Sequence, residues 1–202
     1  MTANNNYNET PPTTKHRIIS IIVLMFLFVV LPIGSWYYLK AGFSYRKKAL
    51  TEMLPKGNIN KFSFETPDLD VVTDSLLHNK ISIIQFLDKR DLTAENVAML
   101  NKLHNQFDER RDVRIVTFLH VGYNPEFTKD SSQWYVYHLK DLEYNVAKQN
   151  IFKIPTEDNV ALIDTTLQIR AFYQVNQPES VKKLIAHIAV MLPVVKRKYN
   201  SD

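Results

Sequence analysis

A hydrophobic segment near the N-terminus dominates the polarity pattern of the chain. From Ile18 to Leu39 nearly every residue is apolar, and a helix of that length would reach roughly 33 Å, enough to cross a bilayer. Aromatic residues at its C-terminal end would lie at one interface, and the basic residues 15–17 at the other. The pattern predicts a transmembrane anchor at residues 18–39, preceded by a disordered tail at residues 1–17.

A cleaved signal peptide is the alternative interpretation of this segment, because a basic region precedes the apolar core. The apolar run is longer than such a peptide needs, and no small-x-small cleavage site follows it, so we favour an uncleaved anchor. The orientation of the anchor in the membrane is less settled. Lys40 and residues 46–48 outnumber Lys15 and Arg17, so the positive-inside rule taken literally would place the large domain in the cytoplasm.

The rest of the pattern alternates between strands and helices. Residues 40–60 are expected to be a linker that contains a short juxtamembrane helix over residues 45–54. Residues 81–87 are apolar at nearly every position, which is typical of a strand buried on both faces. A helix is predicted from Thr93, and a second buried strand at residues 113–121. Strand, helix and strand in this order predict a right-handed crossover between parallel neighbours.

The second half of the domain adds an aromatic strand, a short helix, a hairpin and an amphipathic closing helix, at residues 134–138, 141–150, 160–173 and 178–192. Leu142 and Val146 are expected to face inward from the short helix. His104 and His187 lie among charged neighbours on helices, so surface positions are expected for both. The sequence thus predicts an α/β domain at residues 61–193, followed by a basic tail at residues 194–202.

Composition narrows the possible chemistry. The 202 residues contain no cysteine, which excludes disulfides, thiolate metal sites, cysteine nucleophiles and CxxC redox chemistry. The net charge of +4 is modest, and no aromatic-and-basic signature indicates binding to nucleic acid. Phosphate-binding glycine loops and GxSxG elbows are also missing from the sequence. We therefore expect neither enzymatic activity nor a cofactor.

Several short motifs occur along the domain in an order that is typical of one protein family. They are Phe62-Ser63-Phe64, Val71-Val72-Thr73-Asp74, Asn124-Pro125-Glu126, Trp134-Tyr135, Leu162-Ile163-Asp164 and Ile169-Arg170-Ala171-Phe172-Tyr173. In this order the chain resembles the Sco (SenC-like) family, whose members are membrane-anchored, thioredoxin-like copper chaperones associated with cytochrome c oxidase. The resemblance implies a thioredoxin-like fold with a mixed central sheet flanked by helices. It also implies a domain on the periplasmic side of the inner membrane, and we weigh this above the charge count.

The departures from the family pattern concern its metal site. In the family, a CxxxC at the corner after the central strand and a distant histidine before the hairpin bind copper. Here the corner is Asp88-Lys89-Arg90-Asp91-Leu92, and the segment before the hairpin is Pro155-Thr156-Glu157-Asp158-Asn159. Leu167 replaces the usual hairpin glycine, and because a leucine at positive φ would be strained, we expect a different turn. The resemblance therefore indicates a degenerate member without the soft-metal site.

Two candidate sites remain. A replacement metal site for a harder ion or Cu(II) would combine His120 with carboxylates of neighbouring loops, namely Asp88, Asp91, Glu157 or Asp158. Solvated loop residues are the more frequent explanation of such groups. An aromatic patch for a protein partner would use Trp134, Tyr135 and Tyr137, although core packing is the commoner fate of such residues.

The sequence as a whole favours a non-catalytic accessory or assembly factor for a respiratory complex of the cytochrome c oxidase type. Two kinds of partner are expected. The anchor contacts membrane lipid, and the domain binds subunits of the membrane complex through protein contacts. A permanent structural subunit of a membrane complex is the alternative of a different class. A metal carrier that uses histidine and carboxylate ligands is a further alternative.

Overall fold

The N-terminal part of the chain is one long helix. It consists of α1 (Thr14–Met25), a π-helical turn (Phe26–Val30) and α2 (Leu31–Glu52). The structure is a computed structural model that describes residues 14–67, 69–125, 127 and 132–192. The predicted tails therefore lie outside the described residues, except for residues 14–17, which are helical.

Among the described residues, the segment Arg17–Glu52 is the one helix long and apolar enough to cross a membrane, as an anchor or a signal sequence would be. The π-helical turn precedes Pro32, which has no N–H to donate and whose ring crowds the preceding turn. Here the Leu31 N–H bonds to the Phe26 carbonyl, five residues back, and the wider turn relieves this crowding. The predicted juxtamembrane helix over residues 45–54 is the last part of α2, which continues without a break to Glu52.

Six strands form the mixed central sheet, in the order β1-β8-β7-β4-β5-β6. Their bounds are β1 (Gly57–Asn58), β4 (Ile81–Leu87), β5 (Val113–His120), β6 (Trp134–Leu139), β7 (Val160–Ile163) and β8 (Gln168–Tyr173). Between β1 and β4, the strands β2 (Ser63–Glu65) and β3 (Val71–Thr73) form a separate antiparallel pair, which a 3₁₀ turn (Asp74–Leu77) follows. Strand β4 pairs parallel with β5 and antiparallel with β7, and all its residues are buried, which confirms its predicted position in the middle of the sheet.

Helices cover both faces of the sheet. On one face, α3 (Ala94–Asn105) and α5 (Pro178–Met191) pack with the end of α2 over a shared apolar core. On the other face lie α4 (Asp141–Val146), the π-helical turn that continues it (Ala147–Ile151), and the β2–β3 pair. The Thr93 hydroxyl accepts the Asn96 N–H at 3.2 Å, so α3 begins at the predicted cap.

The inward face of α4 differs from the prediction. Leu142 is 74% exposed and Val146 is 41% exposed, whereas Tyr144 and Ala147 are buried. The Tyr144 ring packs edge-on against Phe86, with the ring centroids 5.2 Å apart. One aromatic side chain therefore fills the core position that the two aliphatic residues were expected to share.

The predicted linker contains the edge strand β1, in which Gly57 pairs with Ile169 of β8. Gly57 has φ +148°, a conformation that side chains rarely adopt, and the adjacent Ile59 is buried in the core. A two-residue strand of Gly and Asn has no alternation of polarity. Strand β1 could therefore not be predicted from the polarity pattern.

The β7–β8 turn has the backbone conformation that glycine favours, yet Leu167 occupies it with φ +64°. The expectation of a different turn is therefore wrong. Such a conformation costs a leucine roughly 1–2 kcal/mol. The Asp164 carboxylate offsets this cost, because it accepts hydrogen bonds from the Thr166 and Gln168 N–H groups at 2.8 and 2.9 Å and from Arg170 Nε at 2.7 Å.

Both histidines that were expected on the surface are buried, His104 at 4% and His187 at 3% exposure. His187 Nδ1 lies 2.7 Å from the Tyr173 hydroxyl, and its Nε2 lies 3.5 Å from Glu52 Oε2. Glu52 also pairs with Lys183 at 2.7 Å. A buried polar chain thus connects β8, α5 and the last turn of α2. His187 shares a helix face with buried Leu184, which is the signal that the charged neighbours obscured.

Replacing Asp164 with alanine is expected to destabilise the domain by about 3 kcal/mol, because it leaves a partly buried guanidinium and two N–H groups without their acceptor. Urea unfolding of the detergent-solubilised protein, followed by tryptophan fluorescence, measures the change. Thr165→Ala, an exposed change in the same turn, is the control and should leave the free energy of unfolding nearly unaltered. Equal midpoints for the two variants would contradict this role of Asp164.

Acid should remove the contribution of Asp164. Burial by itself raises its pKa, but hydrogen bonds from the Gln168 N–H, Thr166 and Arg170 together bring the pKa below its usual value. The unfolded chain therefore binds the proton more readily, and the stabilisation is present above about pH 4 and lost as the pH falls through the lower folded pKa. The same unfolding measurements below pH 4 should show a larger loss in the wild type than in Asp164→Ala, because carboxyl groups such as Asp88, whose pKa is also lowered, remain in both.

His187 should make stability depend on pH in a higher range. Burial lowers its pKa, the Lys183 charge lowers it further, and Glu52 opposes both effects. Protonation then favours the unfolded chain, so stability should fall as the pH drops below about 6.5. His187→Gln is expected to flatten this part of the unfolding profile. An unfolding profile in this pH range that His187→Gln leaves unchanged would refute the assignment.

Candidate functional site

The corner between β4 and α3 is a turn whose polar groups form hydrogen bonds with one another and with the first turn of α3. The Asp88 carboxylate accepts hydrogen bonds from the Arg90 N–H at 2.7 Å and from Arg90 Nη2 at 2.8 Å. The Asp91 carboxylate accepts the Asp88 N–H at 3.1 Å. The Asn96 side chain, in the first turn of α3, donates to the Asp91 carbonyl at 3.0 Å. The positions that follow the central strand are thus occupied by a carboxylate–guanidinium network.

The two carboxyl groups of this turn have pKa shifts in opposite directions. Hydrogen bonding to the Arg90 side chain lowers the pKa of Asp88. Burial raises the pKa of Asp91, and the neighbouring Asp88 charge adds to this effect, while a hydrogen bond with the Asn159 side chain opposes it. Asp88 is therefore held as the partner of Arg90, and the half-buried Asp91 serves as an acceptor within the turn.

His120, at the end of β5, has a partner that sequence reasoning missed. Its Nδ1 lies 2.8 Å from the Asp141 carboxylate at the start of α4. Its ring stacks on Tyr144, with the centroids 3.9 Å apart. A carboxylate at Nδ1 fixes the orientation of an imidazole, as in many metal and catalytic sites. The two residues lie 21 positions apart on different elements, so no sequence spacing indicates the pair.

The structure does not assemble the candidate ligands into one metal-binding group. Across the described part of the chain, no three His, Asp or Glu side chains come close enough together to hold an ion. Asp88 and His120 line the same open cleft of about 500 Å³, together with Asp141. The other three candidates, Asp91, Glu157 and Asp158, do not line it. Metal binding through His120 stays a prediction, and Asp141 is the carboxylate best placed to support it.

Asp158 resembles Asp91 in its electrostatics. Burial raises its pKa, a hydrogen bond with the Gln174 side chain opposes this, and the adjacent Glu157 charge raises the pKa further. Glu157 is exposed. The segment before the hairpin thus presents one half-buried and one solvated carboxyl group.

The predicted aromatic patch is split between the two faces of β6. Trp134 is 1% exposed, and its Nε1 donates to the Thr117 hydroxyl at 2.9 Å inside the core, so its assignment to a surface patch is wrong. Tyr135 and Tyr137 lie half-buried on the other face, with parallel rings 6.3 Å apart. Strand β6 is the outermost strand of the sheet. Partner binding through these two tyrosines stays a prediction.

Comparison with known proteins gives matches only among solved structures. Neither a family profile nor a curated protein matches the sequence. A SCO1/SenC family lipoprotein from Bacillus anthracis matches with 20% identity over 66% of this chain and 94% of its own, at a TM-score of 0.50. BsSco, a member of the Sco family of cytochrome c oxidase assembly proteins, matches with 16% identity over 69% of this chain and 98% of its own, at a TM-score of 0.53.

A putative thiol:disulfide interchange protein DsbE from Chlorobium tepidum matches as well as the Sco proteins. Its identity is 12% over 69% of this chain and 99% of its own, at a TM-score of 0.50. Likeness at such identities concerns the fold, and it confirms the thioredoxin-like α/β prediction. This chain therefore has the thioredoxin-like fold seen in solved Sco-family proteins, with an apolar N-terminal helix and with no cysteine at the corner after the central strand.

Proposed function

We propose that this protein is a membrane-anchored, cysteine-free Sco-like protein that acts as a non-catalytic accessory or assembly factor for a respiratory complex of the cytochrome c oxidase type. One observation carries the proposal. The fold is retained, while a self-paired Asp88–Arg90–Asp91 network occupies the corner after β4. Without thiols, the domain has no group for thiol–disulfide exchange or thiolate copper binding, so its role is assigned to protein contacts.

The link to an oxidase rests on structural neighbours. BsSco is described as belonging to a family of cytochrome c oxidase assembly proteins, and it shares the fold of this chain. In the proposal, the helix Arg17–Glu52 anchors the protein in the inner membrane, and the domain lies on the periplasmic side. Lys15 and Arg17 support this orientation, because both lie close to the N-terminal end of the apolar core, whereas of the later basic residues only Lys40 adjoins it and residues 46–48 lie further away.

Tyr135 and Tyr137 are the proposed contact residues. They lie on the outermost strand of the sheet, and tyrosine is enriched at protein interfaces because it combines a rigid apolar ring with a polar hydroxyl. The Arg114 guanidinium lies 5.1 Å from the centre of the Tyr135 ring and extends this surface. The partner is therefore expected to be a folded subunit that contacts an aromatic and basic strip.

Gentle purification of the tagged full-length protein from native membranes, with protein stoichiometry by mass spectrometry, tests the assembly role. Oxidase subunits are expected in small amounts and without their metal centres, because an assembly factor leaves the mature complex. Tyr135→Ser should reduce their recovery several-fold, whereas Leu142→Ser, an exposed apolar change on α4, is the matched control. Recovery of mature subunits in equal amounts would instead identify a permanent structural subunit.

Titration with Cu(II) against a competing chelator tests the metal-carrier alternative. No stoichiometric complex is expected, because His120 is paired with Asp141 and the described residues supply no third ligand nearby. Binding is followed by the visible absorption of the full-length protein in detergent. A one-to-one complex that His120→Ala abolishes and His78→Ala preserves would favour the carrier and overturn the assignment of the role to protein contacts alone.

A further inference from the structure

A second cleft opens at the edge of the sheet where β4, β5 and β6 begin, opposite the Asp88 corner. Its volume is about 290 Å³, and its polar lining consists of Lys80, Asp108, Arg111, Arg114, Ser132 and Gln133. These residues come from three separate segments of the domain, namely Lys80, residues 108–114 and residues 132–133. The cleft is close in size to the smaller sites that bind small molecules in proteins.

Positive charge is in excess among the described residues that line this cleft. Lys80, Arg111 and Arg114 line it, and Asp108 is its one carboxylate among the lining residues. The nearby Asp112 is engaged by Arg110, with distances of 3.0 and 2.7 Å between the guanidinium nitrogens and the carboxylate oxygens. Within the described residues, neither Asp108 nor Arg111 forms an ion pair.

Neutral groups hold two of the cations in place. Lys80 Nζ donates to the Arg111 carbonyl, and Arg114 donates to the Leu76 carbonyl while its guanidinium lies over the Tyr135 ring. Carbonyls and aromatic rings orient a cation without neutralising it. The cations are therefore positioned, and their charge remains available to an anion.

Gln133 supplies an independent observation. Its side chain is buried, and Nε2 lies 2.6, 2.8 and 3.2 Å from the carbonyls of Phe107, Arg110 and Val113. These three acceptors require the nitrogen at that position, since an oxygen there would face three other oxygens. Gln133 Oε1 is then left as a buried acceptor with no donor among the described groups. A buried acceptor without a donor is costly, so an O–H group brought to this atom would be bound favourably.

We propose that this cleft binds a phosphate-class oxyanion that also carries a hydroxyl group. The guanidinium groups of Arg111 and Arg114 match phosphate oxygens in geometry, and Lys80 adds a point charge. The hydroxyl donates to Gln133 Oε1. Asp108 disfavours a bare anion, which strengthens the preference for a ligand that can also donate. Inorganic hydrogen phosphate and the phosphoglycerol headgroup of a lipid share this chemistry. The cleft shares Arg114 with the proposed contact surface, but anion binding does not require the role in oxidase assembly.

Isothermal titration of the full-length protein in an uncharged detergent tests the site. Inorganic phosphate should bind saturably, and its affinity should fall as salt rises. Arg111→Ala should weaken binding about tenfold or more, because it removes charge-assisted hydrogen bonds. Lys182→Ala, which removes a cation from the exposed face of α5, is the matched control and should bind as the wild type does.

Two further titrations separate the ligand classes. Sulfate has the charge of phosphate but no hydroxyl, so it should bind more weakly, and equal affinity would overturn the role assigned to Gln133. Short-chain phosphatidylglycerol is compared with phosphatidylcholine in mixed micelles. Binding of phosphatidylglycerol alone, lost in Arg111→Ala, identifies a lipid headgroup, and binding of inorganic phosphate identifies the free anion. No saturable binding of either, or binding indifferent to Arg111→Ala, overturns the proposal.

Discussion

The burial of β4 between β5 and β7 is the constraint on which the rest of the domain depends. Ile83 and Leu87 project into one core layer, and Ile84 and Phe86 into the other. Gln85, the polar residue between them, is satisfied across the sheet because its Oε1 accepts the Thr117 hydroxyl at 2.8 Å. Both faces of the sheet must then be covered by other elements, because β4 carries apolar side chains on both of its faces and neither can be exposed to water.

The position of β4 also fixes two polar regions, one at each end of the parallel strands. At the carboxyl end, Asp88 and Arg90 neutralise each other within one turn, so the corner is complete without a ligand. At the amino end, Arg111 and Arg114 are held beside Lys80 with fewer carboxylates than cations. Among the described residues, the two ends therefore differ in how far their charges are balanced by neighbouring groups.

The corner shows why this fold persists without thiols. Hydrogen bonds from Asp88 and Asp91 stabilise the turn, and Thr93 caps the helix that follows it. The core beneath it is formed by Phe86 and Tyr144, which need no reactive group nearby. Because these contacts stabilise the corner without a thiol, the fold does not require a cysteine at this position.

The sequence by itself determined the elements whose signal is local. The apolar run at residues 81–87, the Thr93 cap and the amphipathic helix near the C-terminus agree with the structure, because periodicity and capping depend on neighbours in the chain. The composition of the chain likewise predicts the long apolar helix that begins near Arg17. Motif order was enough to predict the fold class.

Only the tertiary structure decided the partners of individual side chains. His120 finds Asp141, and His187 joins Tyr173 to Glu52, because distant segments meet in space. The same holds for the positive φ of Leu167, which the Asp164 contacts sustain against its local cost. Burial, pairing and backbone strain are set by contacts between elements, and one sequence read alone contains no distance between them.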